Sequence, residues 1–231
     1  MSLQSTVVDA LGQEIVSGQL AVGQVLSADL VCQRFDVSRP IARESLRELE
    51  SLGLVRARPQ VGTTVLASPS WNLFHPRLIG WRGRHEFDEQ LREVLEMRSG
   101  LEPVAAGLAA GRIGDEDLVL LKAAWEGMRD AASRDDSPAY VEHDADFHRV
   151  IYATSRNALI GQFSAIVAAV FQTRLHGPTS PINPQTQQSL DLHGRLYRAI
   201  AARRPDQAER AARLIITASM AEFDVDDPPR R

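Results

Sequence analysis

The sequence predicts a mainly α fold in two parts: three short helices closed by a β-hairpin, then an all-α bundle. Three observations predict it. Apolar residues recur at helical spacing through most of the chain, and strand-like runs occur only at 54–58 and 63–66. Turn-forming residues cluster at 67–72 and mark a boundary. In the segment 37–53, Arg39, Arg43 and Arg47 repeat at every fourth position, while Ile41, Ala42, Ser45, Leu46, Leu49 and Leu52 share another arc of the same helix.

Each element has a local cause. Leu3, Val7, Leu11 and Ile15 define the first helix, and Gly18 stops it. Ser27 is placed to N-cap a second helix, Ala28–Phe35. Asp36 and Val37 make a turn. Ser38 is expected to cap the arginine-bearing helix, where Pro40 falls in the tolerated first turn and Gly53 ends the run. Strands 54–58 and 63–66, joined through 59–62, then complete a winged helix-turn-helix whose wing tip is 58–63. The domain limits expected are 1–68 for this unit, 69–84 for a linker and linking helix, and 85–227 for the bundle. Helical patterns cover 75–83, 86–111, 115–133, 138–154, 157–176, 185–203 and 205–223, and residues 224–231 are expected to fray. No repeat is found.

Composition narrows the function. The 231 residues carry 26 basic and 30 acidic side chains, a formal charge of −4. Residues 1–67 hold six arginines and no lysine against seven acids. Nucleic-acid binding is therefore not advertised by net charge and rests on where the arginines stand. Arg39, Arg43 and Arg47 form one guanidinium stripe, and arginine reads guanine O6 and N7 in pairs or clamps phosphates. The competing reading is a solvated face with Arg47 paired to Glu44 or Glu50. A single cysteine, Cys32, excludes an intrachain disulfide and fits a reducing cytoplasm. Neither a leader nor an apolar run of bilayer length is read, so the expected location is cytoplasmic and no membrane partner is expected.

The bundle carries a second signal. Asp144 and His148, four residues apart, sit among Tyr140, Val141, Phe147 and Ile151 on an inward arc. His193 lies among Leu190, Leu196, Tyr197 and Ile200, and Arg98 among Val94, Leu95, Leu101 and Ala105. Burying these groups unpaired costs several kcal/mol each, of order 2–7. Asp144, His148 and His193 form a facial metal set, and Arg98 suits a carboxylate. The expectation is a cavity for a small organic acid with a metal at one end. The alternative is a hydrogen-bonded network without metal. The remaining histidines read as solvated, and Trp71, Trp81 and Trp125 as core or interface residues.

The run 37–49 with the following Gly-Leu-Val-Arg and Gly62-Thr63 resembles the DNA-binding signature of the GntR family of bacterial transcription regulators. Residues 94–106, the Asp144–Ile151 segment with Asn157, and His193 with Leu196, Ala199 and Ile200 are similar to the FCD ligand domain of its FadR-like branch. The resemblance covers the whole chain. It implies a homodimer on pseudo-palindromic operator DNA, with Arg39 and Arg43 at base edges, Ser38 and Arg47 at phosphates, and Gly62 and Thr63 of the wing along the minor groove. It implies a divalent transition metal (zinc, nickel or manganese) on Asp144, His148 and His193, and a small organic or sugar acid on Arg98. Two departures matter. Asp29 or Leu30 stands where many members carry a DNA-contacting arginine, and Ile215 stands where a last metal-binding histidine is usual, so occupancy is expected to be partial. The two spaced tryptophans of 71–81 look like those of galactonate and sugar-acid regulators. The expected function is a ligand-responsive repressor of a catabolic operon and no enzyme; a metal-dependent enzyme on a small acid and a pure metal sensor are the competing readings.

Overall fold

Local signals build the N-terminal unit. In the computed structural model, which describes residues 2–176 and 180–222, the chain divides between His85 and Glu86. α1 (Leu3–Val16) starts at Ser2, whose hydroxyl accepts from the Ser5 amide, and buries Val7, Val8, Leu11 and Ile15. α2 (Ala28–Phe35) is capped by the Ser27 side chain and closed by Asp36 in the left-handed region at φ 50°. α3 (Arg39–Ser51) buries Ala42, Ser45, Leu46 and Leu49. Ser38 occupies its N-cap with extended backbone, but its side chain makes no capping hydrogen bond, contrary to expectation. Pro40, at the second helical position, has removed one of the two amides such a cap uses.

The hairpin forms as expected: β2 (Val55–Arg58) pairs antiparallel with β3 (Gly62–Val65), Val55 opposite Val65 and Arg58 opposite Gly62. A third strand, β1 (Val25–Leu26), adds to the free edge of β3 and was not legible, since two residues carry no alternation. Gly62 has φ +105°, and a Cβ there would lie 2.8 Å from Val25 Cγ1, so β1 and the wing meet only over glycine. Glu50 of α3 accepts from the Ala57 amide at 2.8 Å and ties the wing to the helix. α4 (Pro76–His85), read from sequence as a linking helix, packs Leu78 and Trp81 into this same core. The Trp81 ring covers Gly12 so closely that a Cβ would fall 2.4 Å from it.

The second unit consists of helices joined by turns, with no strand among its described residues. α5 (Phe87–Arg112) packs against α7, α8, α9 and α10; α6 (Asp115–Ser133) packs against α7 and α9. α7 (Ser137–Thr154), α8 (Ala158–Thr173), α9 (Thr186–Ala201) and α10 (Pro205–Glu222) complete it. Ala105, Ala109, Leu121, Met128, Phe147, Ile151, Leu196, Ile200 and Ile215 fill the centre. Asp115, Glu116 and Asp117 open α6, where carboxylates meet the positive end of the helix dipole. Trp125 donates to the Leu190 carbonyl and stacks on Tyr197, and Trp71 donates to the Leu66 carbonyl. Ala158–His176 is more apolar than the sequence reading allowed, with mean hydropathy 1.4 and only 22% of that window buried. The fraying expected at 224–231 lies outside the described residues.

Candidate functional sites

The stripe on α3 is exposed, as its spacing requires. Arg39 Nε donates to Asp29 Oδ1 at 2.9 Å, and Arg47 Nη1 meets Glu44 Oε1 at 2.5 Å, the pairing that the solvated reading named. Both are solvent-facing ion pairs, worth about 0–1 kcal/mol and open to exchange for phosphate. Arg43 has no ion pair among the described residues. A concavity of about 390 Å³ lies between α3, the start of α2 and the wing, lined by Arg43, Arg47, Glu50, Gly62 and Thr63. Four of the six expected DNA-contacting residues, Arg43, Arg47, Gly62 and Thr63, line this concavity, while Ser38 and Arg39 stand at the start of α3 with Asp29 paired to Arg39.

In the bundle, α7 and α9 bring Asp144, His148 and His193 together. All three are buried, with one ligand atom from each lying within 4.8 Å of the others. His193 Nε2 is 3.2 Å from Asp144 Oδ1 and 3.4 Å from His148 Nε2; His148 Nε2 is 3.5 Å from that same oxygen. Their partners assign the tautomers. His193 Nδ1 donates to the Ser189 carbonyl at 2.7 Å, which turns Nε2 toward Asp144. His148 Nε2 receives Arg98 Nη2 at 3.1 Å, and His148 Nδ1 faces Glu102 Oε1 at 3.2 Å. Asp144 Oδ1 has no hydrogen-bond donor. Asp144 Oδ1 and the two Nε2 atoms therefore converge, with the Arg98 N–H also on His148 Nε2, and each imidazole is held from behind by a carbonyl or carboxylate. These three residues could hold a metal ion. Ile215 lines the same cavity and offers no donor atom.

Arg98 is where the sequence placed it but is already engaged. Its Nε donates to Glu102 Oε1 at 2.7 Å and its Nη2 to Glu102 Oε2 at 3.2 Å. Tyr152 donates to Glu102 Oε1 at 3.0 Å, and the Arg98 guanidinium lies over the Phe171 ring, 4.7 Å from its centre. Burial opposes ionisation of Glu102, but Arg98 and then His148 outweigh it and hold the carboxyl below its usual range. Burial likewise opposes the Arg98 charge, and Glu102 overcomes it, so the guanidinium is more basic than usual. Burial also works against the Asp144 charge, yet the two flanking imidazoles hold its carboxyl well below the ordinary range.

The cavity beside these groups is narrow. Only about 20 Å³ of it is open to a water centre, enough for one water or ion and not for a six-carbon acid. Its mouth is crossed by Arg174, whose Nη1 is 3.8 Å from Asp144 Oδ2 and whose Nη2 is 3.7 Å from Glu222 Oε1; Asn183 donates to that same Glu222 oxygen at 2.6 Å. Tyr140, Ser189 and Ser219 add hydroxyls to the lining. Sequence reading missed Glu102, Tyr152, Arg174 and Glu222. Glu102 carried a usable signal, because it follows Arg98 by one turn on the arc that includes Ala105 and Ala109.

Known proteins place these features. Residues 3–65 match the model of the bacterial regulatory proteins of the gntR family, and residues 93–218 match that of the FCD domain. The chain is 30% identical over 227 residues to the galactonate operon transcriptional repressor of Escherichia coli K12, covering 95% of this chain and 96% of that protein. It is 27% identical over 217 residues to the Glc operon transcriptional activator of the same strain, covering 90% and 83%. A Streptococcus agalactiae GntR structure shares the fold, with TM-score 0.55 at 23% identity over 95% of this chain and 99% of that one. An E. coli McbR/YncC structure does so with TM-score 0.53 at 18% identity, covering 98% and 99%. With a winged helix-turn-helix at one end and a helical bundle around a buried polar centre at the other, this chain belongs to the gntR family of bacterial regulatory proteins, as a ligand-responsive DNA-binding transcriptional regulator with an FCD domain.

Proposed function

We propose that the protein is a cytoplasmic, homodimeric repressor of a catabolic operon, released from its operator by a small hydroxylated acid. One observation supports the effector side most: a carboxylate oxygen and two imidazole nitrogens lie within 4.8 Å of one another in the bundle, beside a mouth lined by a guanidinium and hydroxyls. Asp144, His148 and His193 would hold a divalent ion such as zinc, nickel or manganese. The set fits, since Asp144 Oδ1 lacks a hydrogen-bond partner and both imidazoles turn Nε2 toward it, with the Arg98 N–H leaving His148 Nε2 when an ion binds. An ion there would act as a Lewis acid toward a carboxylate or hydroxyl of the effector. Arg98 and Arg174 supply positive charge from the inner and outer ends, and Tyr140, Asn183, Ser189 and Ser219 supply partners for hydroxyl groups. The galactonate relative points to aldonic acids as the first class to try. The present cavity requires Arg174 and Glu222 to part before such an acid enters, and that movement links binding to a change of state.

On the DNA side, Arg39 and Arg43 are placed at base edges of the major groove, Ser38 and Arg47 at phosphates, and Gly62 and Thr63 of the wing along the neighbouring minor groove. Two copies would give the affinity that one small reading head lacks. The exposed apolar side of α8, with Leu159 at 73% exposure, is the face we assign to the second copy. The decisive experiment is fluorescence anisotropy on duplex DNA selected from a random pool, titrated with galactonate and other aldonates. Release by one of them is the expected result, and an unchanged affinity across the panel sinks the effector assignment. The small size of the cavity favours one rival, sensing of the ion itself. Metal titration without acid separates the two.

A further inference from the structure

One contact on the DNA-reading surface has the geometry of an aiming device. Asp29 lies in the first turn of α2, and Arg39 is the first residue of α3. Arg39 Nε and Nη2 approach the same oxygen, Asp29 Oδ1, at 2.9 and 2.7 Å. Both side chains stay about two-thirds exposed, at 67% and 68%. An exposed pair of this kind adds little to folding stability. Its effect is on direction. A guanidinium is a rigid planar fork of five N–H donors. With its Nε–Nη2 edge taken by Asp29, the end-on edge formed by Nη1 and the outer Nη2 hydrogen points away from the carboxylate. That edge matches guanine O6 and N7 in the major groove, where residues at the start of a recognition helix reach bases.

Asp29 keeps a second oxygen, Oδ2, with no partner among the described residues. A carboxylate oxygen repels phosphate. On a base edge it accepts only from the exocyclic amine of cytosine or adenine. Next to a fork aimed at guanine, it favours a base that offers an amine, cytosine or adenine, and disfavours guanine and thymine.

We propose that Asp29 is a specificity-determining residue: it fixes the Arg39 fork on a guanine and sets its free oxygen against the amine of an adjacent cytosine or adenine. Two residues from two helices then read one two-base step. This rests on α3 entering the major groove. The plainer role for Asp29 is to complement the dipole of α2, which affects melting temperature and leaves base preference alone.

The experiment is selection of duplexes from a randomised library by the full-length protein, comparing wild type with Asp29→Asn, Asp29→Ala, Asp29→Glu and Arg39→Ala, each also melted thermally. In wild type one guanine per half-site, next to a cytosine or adenine, is enriched. Arg39→Ala erases the guanine preference. Asp29→Asn and Asp29→Ala relax both positions roughly tenfold or more, with melting temperatures near wild type, and Asp29→Glu restores part of the preference. Affinity for random duplex rises in the two neutral variants, because a negative charge beside the phosphates is gone. The proposal is overturned if the neutral variants select the wild-type motif while Arg39→Ala does not. If Arg39→Ala also leaves the motif intact, the placement of α3 falls with it, and if wild type enriches no motif, sequence reading itself falls.

Discussion

Replacing Arg98 with methionine removes the charge from a pair that is almost completely enclosed, with side-chain exposures of 3% and 4% for Arg98 and Glu102. The methionine keeps most of the volume, so the loss is electrostatic. Glu102 is then a buried carboxylate left with Tyr152 and His148. Breaking a buried pair from one side costs about 3–5 kcal/mol. For a chain of this size that is roughly 6–20 °C of melting temperature. The double variant Arg98→Met with Glu102→Leu removes both charges and recovers part of the loss, the remainder being the Tyr152 hydroxyl and His148 Nδ1 left without their acceptor. Circular-dichroism melts and urea titrations of the two single variants and the double variant form the cycle. The pH dependence has a definite sign. The Glu102 and Asp144 carboxyls are both depressed in the folded state, so their contribution is complete above the unfolded carboxylate value and drains away as pH falls through the folded one. Stability therefore declines toward acid, and less steeply in Glu102→Gln. A single-variant loss below about 1 kcal/mol, the worth of a surface pair, refutes the reasoning.

Three further predictions follow from separate contacts. Ile215→His places an imidazole on the cavity wall; metal stoichiometry measured by plasma mass spectrometry rises toward one ion per chain and affinity increases, whereas His193→Ala lowers both. An unchanged zinc affinity in Ile215→His removes Ile215 from the coordination argument. Arg43→Ala, which breaks no intramolecular ion pair, costs roughly 1–3 kcal/mol of specific binding with no change in melting temperature; anisotropy on the selected duplex measures it. Gly62→Ala combines φ +105° with a Cβ 2.8 Å from Val25 Cγ1, so it costs about 1–3 kcal/mol and loosens the wing, visible as faster amide exchange in β3; wild-type protection there contradicts the close approach of β1.

Periodic and capped features were legible from sequence. The helices of both units follow from 3.6-residue spacing, and Asp36 and Gly53 close α2 and α3 because a left-handed turn needs a residue that tolerates it. Asp144, His148, His193 and Arg98 were legible because charge among apolar neighbours on one arc stands out. Glu102 stood on that same arc one turn from Arg98 and was overlooked, whereas Arg174 looks like an ordinary surface charge until a facing helix covers it. The two-residue β1 carries too little pattern to register. Ser38 shows the limit of a local rule: the residue type and place suit a cap, but the proline two positions on removes a donor. The size of the cavity had no sequence signal, because it depends on where the long side chains of Arg174 and Glu222 come to rest.

The strut from Glu50 grips the wing through the Ala57 main chain and not through any wing side chain. Arg56, Arg58, Gln60 and Val61 are exposed and uninvolved in that grip. A lineage can therefore exchange Arg56, Arg58 and Val61 without dislodging the hairpin, with Gln60 held by its left-handed φ of 63°, and so, on the proposed docking, retune the flanks of its binding site while the readout from α3 is inherited unaltered. Divergence between paralogues should then accumulate first at the wing tip.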